Sequence, residues 1–72
     1  MTEHDFVLHL SAEEYLRFYE GVAKAIQVES TSGKTIRFPA NKMRQFVLAD
    51  GIHGTFRMQL ENNKIISIIR LR

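Results

Sequence analysis

The chain has 72 residues, 44% hydrophobic and 25% charged, with a formal net charge of +2 and no cysteine. A chain this short builds one core and cannot divide into two, so a single domain spanning residues 1–72 is expected, its stability roughly 4–10 kcal/mol. Disulfide frameworks and thiol nucleophiles are excluded, and the balanced composition is that of a globular protein. The start, MTEHDFVLHL, is acidic and lacks the basic-then-apolar pattern of a signal peptide, and no apolar run approaches a membrane span. A cytoplasmic setting away from membranes is therefore expected.

In chain order, residues 1–4 are expected to be mobile. Asp5 to Leu10 alternates as a first strand, with Phe6, Leu8 and Leu10 inward. Ser11-Ala12-Glu13-Glu14 reads as a capping box opening a helix over about 11–20, with Gly21 in the left-handed closing position. Val22 to Ser30 reads as a strand, although the helix can instead run on through Ala23. Thr31-Ser32-Gly33-Lys34 supplies a tight turn, and Thr35 to Phe38 returns as a third strand that ends at Pro39.

A short helical turn over about 41–46 follows, with Asn41 as N-cap and Met43, Phe46 and Val47 on one side. After the Asp50-Gly51 turn, Ile52 to Leu60 alternates cleanly, and Gly54 on the apolar parity predicts a bulge or a close approach by another element. Glu61-Asn62-Asn63-Lys64 makes a second hairpin turn. In the last strand, Ile65, Ile69 and Leu71 fall on one parity and Ile66 and Ile68 on the other. Apolar residues on both sides predict cover on both sides, and a second copy of the chain could supply it.

The fold class expected is α+β, a single small domain of about five mainly antiparallel curved strands. The element order is strand–helix–strand–strand–helical turn–strand–strand, with the sheet packed on the helix. The expected core contains Phe6, Leu8, Leu10, Leu16, Phe18 or Tyr19, Ile26, Val28, Ile36, Phe38, Phe46, Ile52, Phe56, Met58, Leu60 and Ile69.

Catalysis is not expected. Ser11, His9 and Asp5 are a weak triad because Ser11 is accounted for as a helix cap. Glu13 and Glu14 point about 100° apart on the helix and make a poor acid–base pair. The glycines at 21, 33, 51 and 54 serve separate turns and form no phosphate loop. His4, His9 and His53 show none of the short spacings of metal ligands, so neither a metal nor a cofactor is expected.

Binding is the more promising class. Residues 1–33 hold two basic and six acidic groups (net −4), whereas residues 34–72 hold eight basic and two acidic groups (net +6). Such asymmetry marks either an anion-binding surface or attraction between halves or subunits, and the second is favoured because nothing else resembles a nucleic-acid module. The first functional expectation is thus a non-catalytic homodimeric interaction module with Ile66 and Ile68 at the contact. The alternative is an anion or nucleic-acid binder using Lys42, Arg44, Arg57 and Arg70, with a salt-sensitive affinity.

The ordered set Ser11, Tyr15-Leu16, Phe18-Tyr19-x-Gly21, Phe38-Pro39-Ala40, Met43-Arg44-x-Phe46-Val47 and Asp50-Gly51-Ile52-His53-Gly54-x-Phe56 resembles a family of short bacterial proteins. That family, chiefly gammaproteobacterial, is catalogued as a domain of unknown function. The resemblance covers about Asp5 to Leu71, with Gln45 standing where the family is expected to have proline. It implies a stand-alone cytoplasmic domain and supplies no activity or site residues.

Overall fold

A computed structural model describes residues 1–21 and 24–72, without the Tyr19 side chain. The expectations for Val22, Ala23 and the Tyr19 side chain lie outside the described residues. The element order is β1 (Thr2–Ser11), α1 (Ala12–Tyr19), β2 (Ala25–Glu29), β3 (Thr35–Pro39), a 3-10 helix (Ala40–Phe46), β4 (Gly51–Glu61) and β5 (Lys64–Arg70). This is the α+β arrangement that the patterning predicts. The strands divide into two antiparallel sheets, one ordered β1-β4-β5 and one hairpin of β2 and β3. A bridge between Phe6 and Ser30 links them, together with a hydrogen bond from the Thr31 amide to the Asp5 carbonyl at 2.8 Å.

β4 is central. It pairs with β1 from Thr2↔Leu60 to Ser11↔Gly51, and with β5 on its other side. The first strand thus begins at Thr2 and takes in Glu3 and His4, three residues earlier than the alternation predicts. Phe6, Ile52, Phe56 and Met58 on the inner face, with Met43 from the 3-10 helix, are fully buried. Aromatic contacts tie the layers together: Phe6 lies 5.8 Å from both Phe38 of β3 and Phe56 of β4, and Phe46 lies 4.9 Å from Phe56. Each such pair adds about 0.5–1.5 kcal/mol beyond area burial.

α1 starts as expected. The Ser11 hydroxyl accepts from the Glu14 amide at 3.0 Å, and the Glu14 carboxylate accepts from the Ser11 amide at 3.1 Å. The Glu14 carboxyl is held below its ordinary value, first by the Ser11 amide and then by the nearby Ser11 hydroxyl. At the other end Gly21 takes φ +82° and donates to the Phe18 carbonyl. The helix turns Tyr15 and Phe18 inward, so Leu16, expected in the core, is left exposed because a helix of two turns covers only one narrow stripe. The 3-10 helix follows Pro39, which occupies the N-cap position in place of Asn41 and makes no side-chain cap. Its first residue, Ala40, is buried with Met43.

β5 corrects the sequence reading most. Its register with β4 shifts between Gln59 and Leu60: Leu60 pairs with Ile65, Gln59 with Ser67, and Ile66 is left over as a bulge. One unpaired residue inverts the parity. Ile65 and Ile68 therefore both pack on the core, Ile68 being only 7% exposed, whereas Ile66 and Ile69 are about half exposed. Ile68 is thus a core residue, not a subunit contact, and Ile69 is not in the core. No second cover is needed to explain isoleucines on both parities.

Gly51 and Gly54 are points of close backbone approach in the first part of the central strand. Gly51 has φ +115°, and a Cβ there would run into the Leu10 carbonyl and lie 2.7 Å from the Ala12 nitrogen. At Gly54 a Cβ would come within 2.6 Å of the Arg72 carbonyl oxygen, the close approach that its place on the apolar parity predicts.

Three substitutions test this packing. Gly51→Ala is expected to cost about 3 kcal/mol or more, combining a disfavoured φ with a backbone clash, and to show it in urea unfolding. Ile68→Ala is expected to cost about 2–5 kcal/mol, and Ile69→Ala within about 0.5 kcal/mol. Equal losses would contradict the bulged register.

Candidate functional site

The four cations proposed from sequence occupy four different settings. Arg57 lies on the outer face of the three-stranded sheet and grips Asp5 with two hydrogen bonds, Nε to Oδ1 at 2.8 Å and Nη2 to Oδ2 at 3.1 Å. Glu3 stands 3.9 Å from the same Nε. Arg70 donates from Nε to its neighbour's carbonyl at Arg72 and from Nη2 to the His53 carbonyl, both at 2.8 Å, which holds the end of the chain over Gly54. Lys42 borders a groove of about 190 Å³ between the 3-10 helix and β5. Arg44 borders a more apolar groove of about 370 Å³ formed with Ala12, Tyr15, Leu16 and Val47. Each of these two grooves is lined by one of the four cations, and Arg57 and Arg70 are engaged by bonds within the chain.

The proposed triad is likewise dispersed by its hydrogen bonds. Ser11 caps α1, Asp5 is held by Arg57, and His9 faces His53. His9 and His53 are cross-strand partners whose Nδ1 atoms are 3.3 Å apart, with ring centroids 5.5 Å apart. His53 Nε2 lies 3.1 Å from the Asp50 carbonyl, which can only accept, so Nε2 carries the hydrogen. In the neutral ring this leaves His53 Nδ1 as acceptor and His9 Nδ1 as donor. The pair shares a hydrogen between strands. Among the described residues no group of three or more His, Cys, Asp and Glu side chains stands where it could hold a metal ion. Both histidines were legible as outer-face residues, but their meeting depends on a register across 44 residues that no local pattern encodes.

The same outer face carries a feature missed in the sequence. Odd-numbered residues of β1 and β4 share it, in cross-strand rows of Glu3 with Gln59, Asp5 with Arg57, Val7 with Thr55, and His9 with His53. β5 adds Ser67 beside Gln59 and Ile69 beside Arg57, and the Leu71 amide bonds to the Thr55 carbonyl at 2.8 Å. Val7 on β1, and Ile69 on β5 with Leu71 just beyond it, therefore flank Thr55 and Arg57 of β4 from opposite sides of the same face, and they are 53%, 45% and 38% exposed. Alternation did mark Val7 as outward-facing; the bulge at Ile66 hid Ile69.

Arg57 holds the Asp5 carboxyl below its ordinary value, chiefly through their hydrogen bonds, while partial burial opposes and the charge attraction adds. The guanidinium is stabilised in turn, its own value raised first by the bond to Asp5. A carboxyl lowered by folding contributes stability at neutral pH and loses it as pH falls through its folded value. Asp5→Asn is accordingly expected to lower the melting temperature at pH 7 and to flatten its fall below the usual carboxylate range. An unchanged acid limb would show that the pair adds nothing.

No helix among the described residues is long and apolar enough to cross a membrane. No curated protein and no solved structure matches the chain. The profile of a family described as a protein of unknown function, DUF2835, matches residues 2–71, and the chain belongs to that family.

Proposed function

We propose that the protein is a non-catalytic interaction module that works as a homodimer through the outer face of its three-stranded sheet. One observation carries this reading: Val7, Ile69 and Leu71 are large apolar side chains left exposed on one face of the three-stranded sheet, and among the described residues no element lies across them. Large apolar side chains set side by side on a sheet are the ordinary substrate for face-to-face sheet packing.

A second copy suits this face better than a strongly charged partner. Glu3 and Asp5 on β1 lie next to Arg57 on β4, so acid and base both border these apolar residues. Because that acid and base are already paired within the chain, an isologous contact of two copies meets little like-charge repulsion there. Pairing edge to edge along β5 is less favoured, because a bulge at Ile66 and charged Lys64 and Arg70 are features that discourage strand addition. The contact residues therefore shift from Ile66 and Ile68 to Val7, Ile69 and Leu71. Ser11 and Asp5 of the weak triad are taken up by structural bonds, which supports a binding role over catalysis.

Light scattering of the untagged protein is expected to give twice the 8.4 kDa chain mass at low and moderate salt. Val7→Asp with Ile69→Asp is expected to yield a folded monomer, while Ile66→Asp leaves the dimer intact. A wild-type monomer at all accessible concentrations, or a dimer insensitive to the double substitution, removes this proposal.

A further inference from the structure

We propose that the open mouth between the two sheets is a binding site for a small phosphomonoester, with Lys34 and Arg37 as its anion-holding residues. The two sheets are tied together at the Phe6–Ser30 bridge and separate towards the start of β1. There, Thr2 and His4 of β1 and Leu60 of β4 stand across from the first residues of β3, leaving a cleft of about 280 Å³. The volume is at the small end for a ligand site, and the mouth of a β-structure is a usual place for one.

The lining has a definite chemical character. Ile36 and Leu60 are half-buried and pack against the core, so they give the cleft an apolar floor. Lys34 and Arg37 stand at its rim as exposed cations. No acidic residue lines it. Unlike Arg57, which has Asp5 and Glu3 within 4 Å, neither Lys34 nor Arg37 forms an ion pair among the described residues. Two unneutralised cations over a concave, partly apolar surface raise the local concentration of anions.

The donor set favours phosphate over carboxylate. Arg37 offers a planar fork, Lys34 an ammonium, and Thr2, Thr35 and Asn63 add neutral donors at the same cleft. Such a set exceeds what two carboxylate oxygens can use and suits the three oxygens and double charge of a phosphomonoester. His4 is half-buried and lines the wall, where it can face the ligand's body or donate to its phosphate. The apolar floor calls for a single-ring or short aliphatic body on the ester, so such an ester should bind better than inorganic phosphate.

Titration of the full-length isotope-labelled protein with phenyl phosphate and with inorganic phosphate, followed by amide shifts, tests the proposal. Phenyl phosphate is expected to saturate shifts at Thr2, His4, Lys34–Arg37, Leu60 and Asn63, several-fold more tightly than inorganic phosphate. Losing one charge-assisted contact in Arg37→Gln should weaken it about tenfold, and Lys34→Gln similarly. Both residues are exposed, so the variants should retain the wild-type spectrum, and Lys42→Gln should bind as the wild type does. No saturable shift below about 10 mM phenyl phosphate at low salt overturns the proposal. Equal affinity for the two probes, or equal losses in Lys42→Gln and Arg37→Gln, also overturns it, leaving only diffuse charge. Single-stranded oligonucleotide binding that spreads to Lys42 and Arg44 without a phenyl phosphate footprint would assign the cations to a polyanion and overturn it too.

Discussion

The Leu10 carbonyl lies where any side chain on residue 51 would begin, and this contact holds the register of β1 against β4. Ser11 pairs with Gly51 at the point where β1 hands over to α1, and the Ala12 amide bonds to the Asp50 carbonyl at 3.2 Å. A turn, a helix start and a strand end thus meet within a few ångströms. A slip of β1 by one residue would put Phe6 and Leu8 into water and bring Asp5 and Val7 inward. The register therefore decides both the core and the composition of the outer face.

From that register the remaining features follow by geometry. Phe6 sits between Phe38 and Phe56, so the longest-range pairing also joins the two sheets. Asp5 falls opposite Arg57 and His9 opposite His53 because both pairs are even steps along one antiparallel ladder. Part of the charge asymmetry is resolved the same way, since the acidic first strand meets a basic residue of the fourth within one chain. The asymmetry left over is more specific than the totals suggest. Lys34 and Arg37 belong to the β2–β3 side, where neither forms an ion pair among the described residues.

Much of the fold was legible because its signals are local. Ser11 and Glu14 three residues apart, Gly21 after the helix, and Gly33 and Asn62-Asn63 in the turns each act through their own backbone. The clean alternation from Ile52 to Leu60 marked the central strand for the same reason. The errors came where an outcome depended on a neighbour. Leu16 and Tyr15 are both apolar enough to face inward, and only the position of β1 and β4 selects Tyr15. In KIISIIRLR, strict alternation assigned Ile69 inward and Ile68 outward, but a bulge opposite the Gln59–Leu60 step reverses the assignment. No residue in that strand announces the bulge, as glycine or asparagine would.

The candidate sites were less legible than the fold, and for a related reason. Lys42, Arg44, Arg57 and Arg70 were grouped by sign and sequence proximity, whereas a site requires convergence and freedom from internal partners. Arg57 fails the second condition outright, because a carboxylate held in a two-pronged grip leaves little charge for a ligand. Arg70 serves backbone carbonyls, a role suited to a guanidinium at a chain end. An internal partner consumes the field that would attract a ligand, so the informative cations are those the fold leaves unneutralised beside a concave surface. By that criterion Lys34 and Arg37 outrank residues that a count of charges places equal with them. The exposed apolar residues obey a parallel rule: Ile66 stands apart at a bulge, while pairing sets Val7, Ile69 and Leu71 on one face of the sheet. In a chain with so few elements, what the β-ladder leaves adjacent and unsatisfied is the best physical guide to what the protein binds.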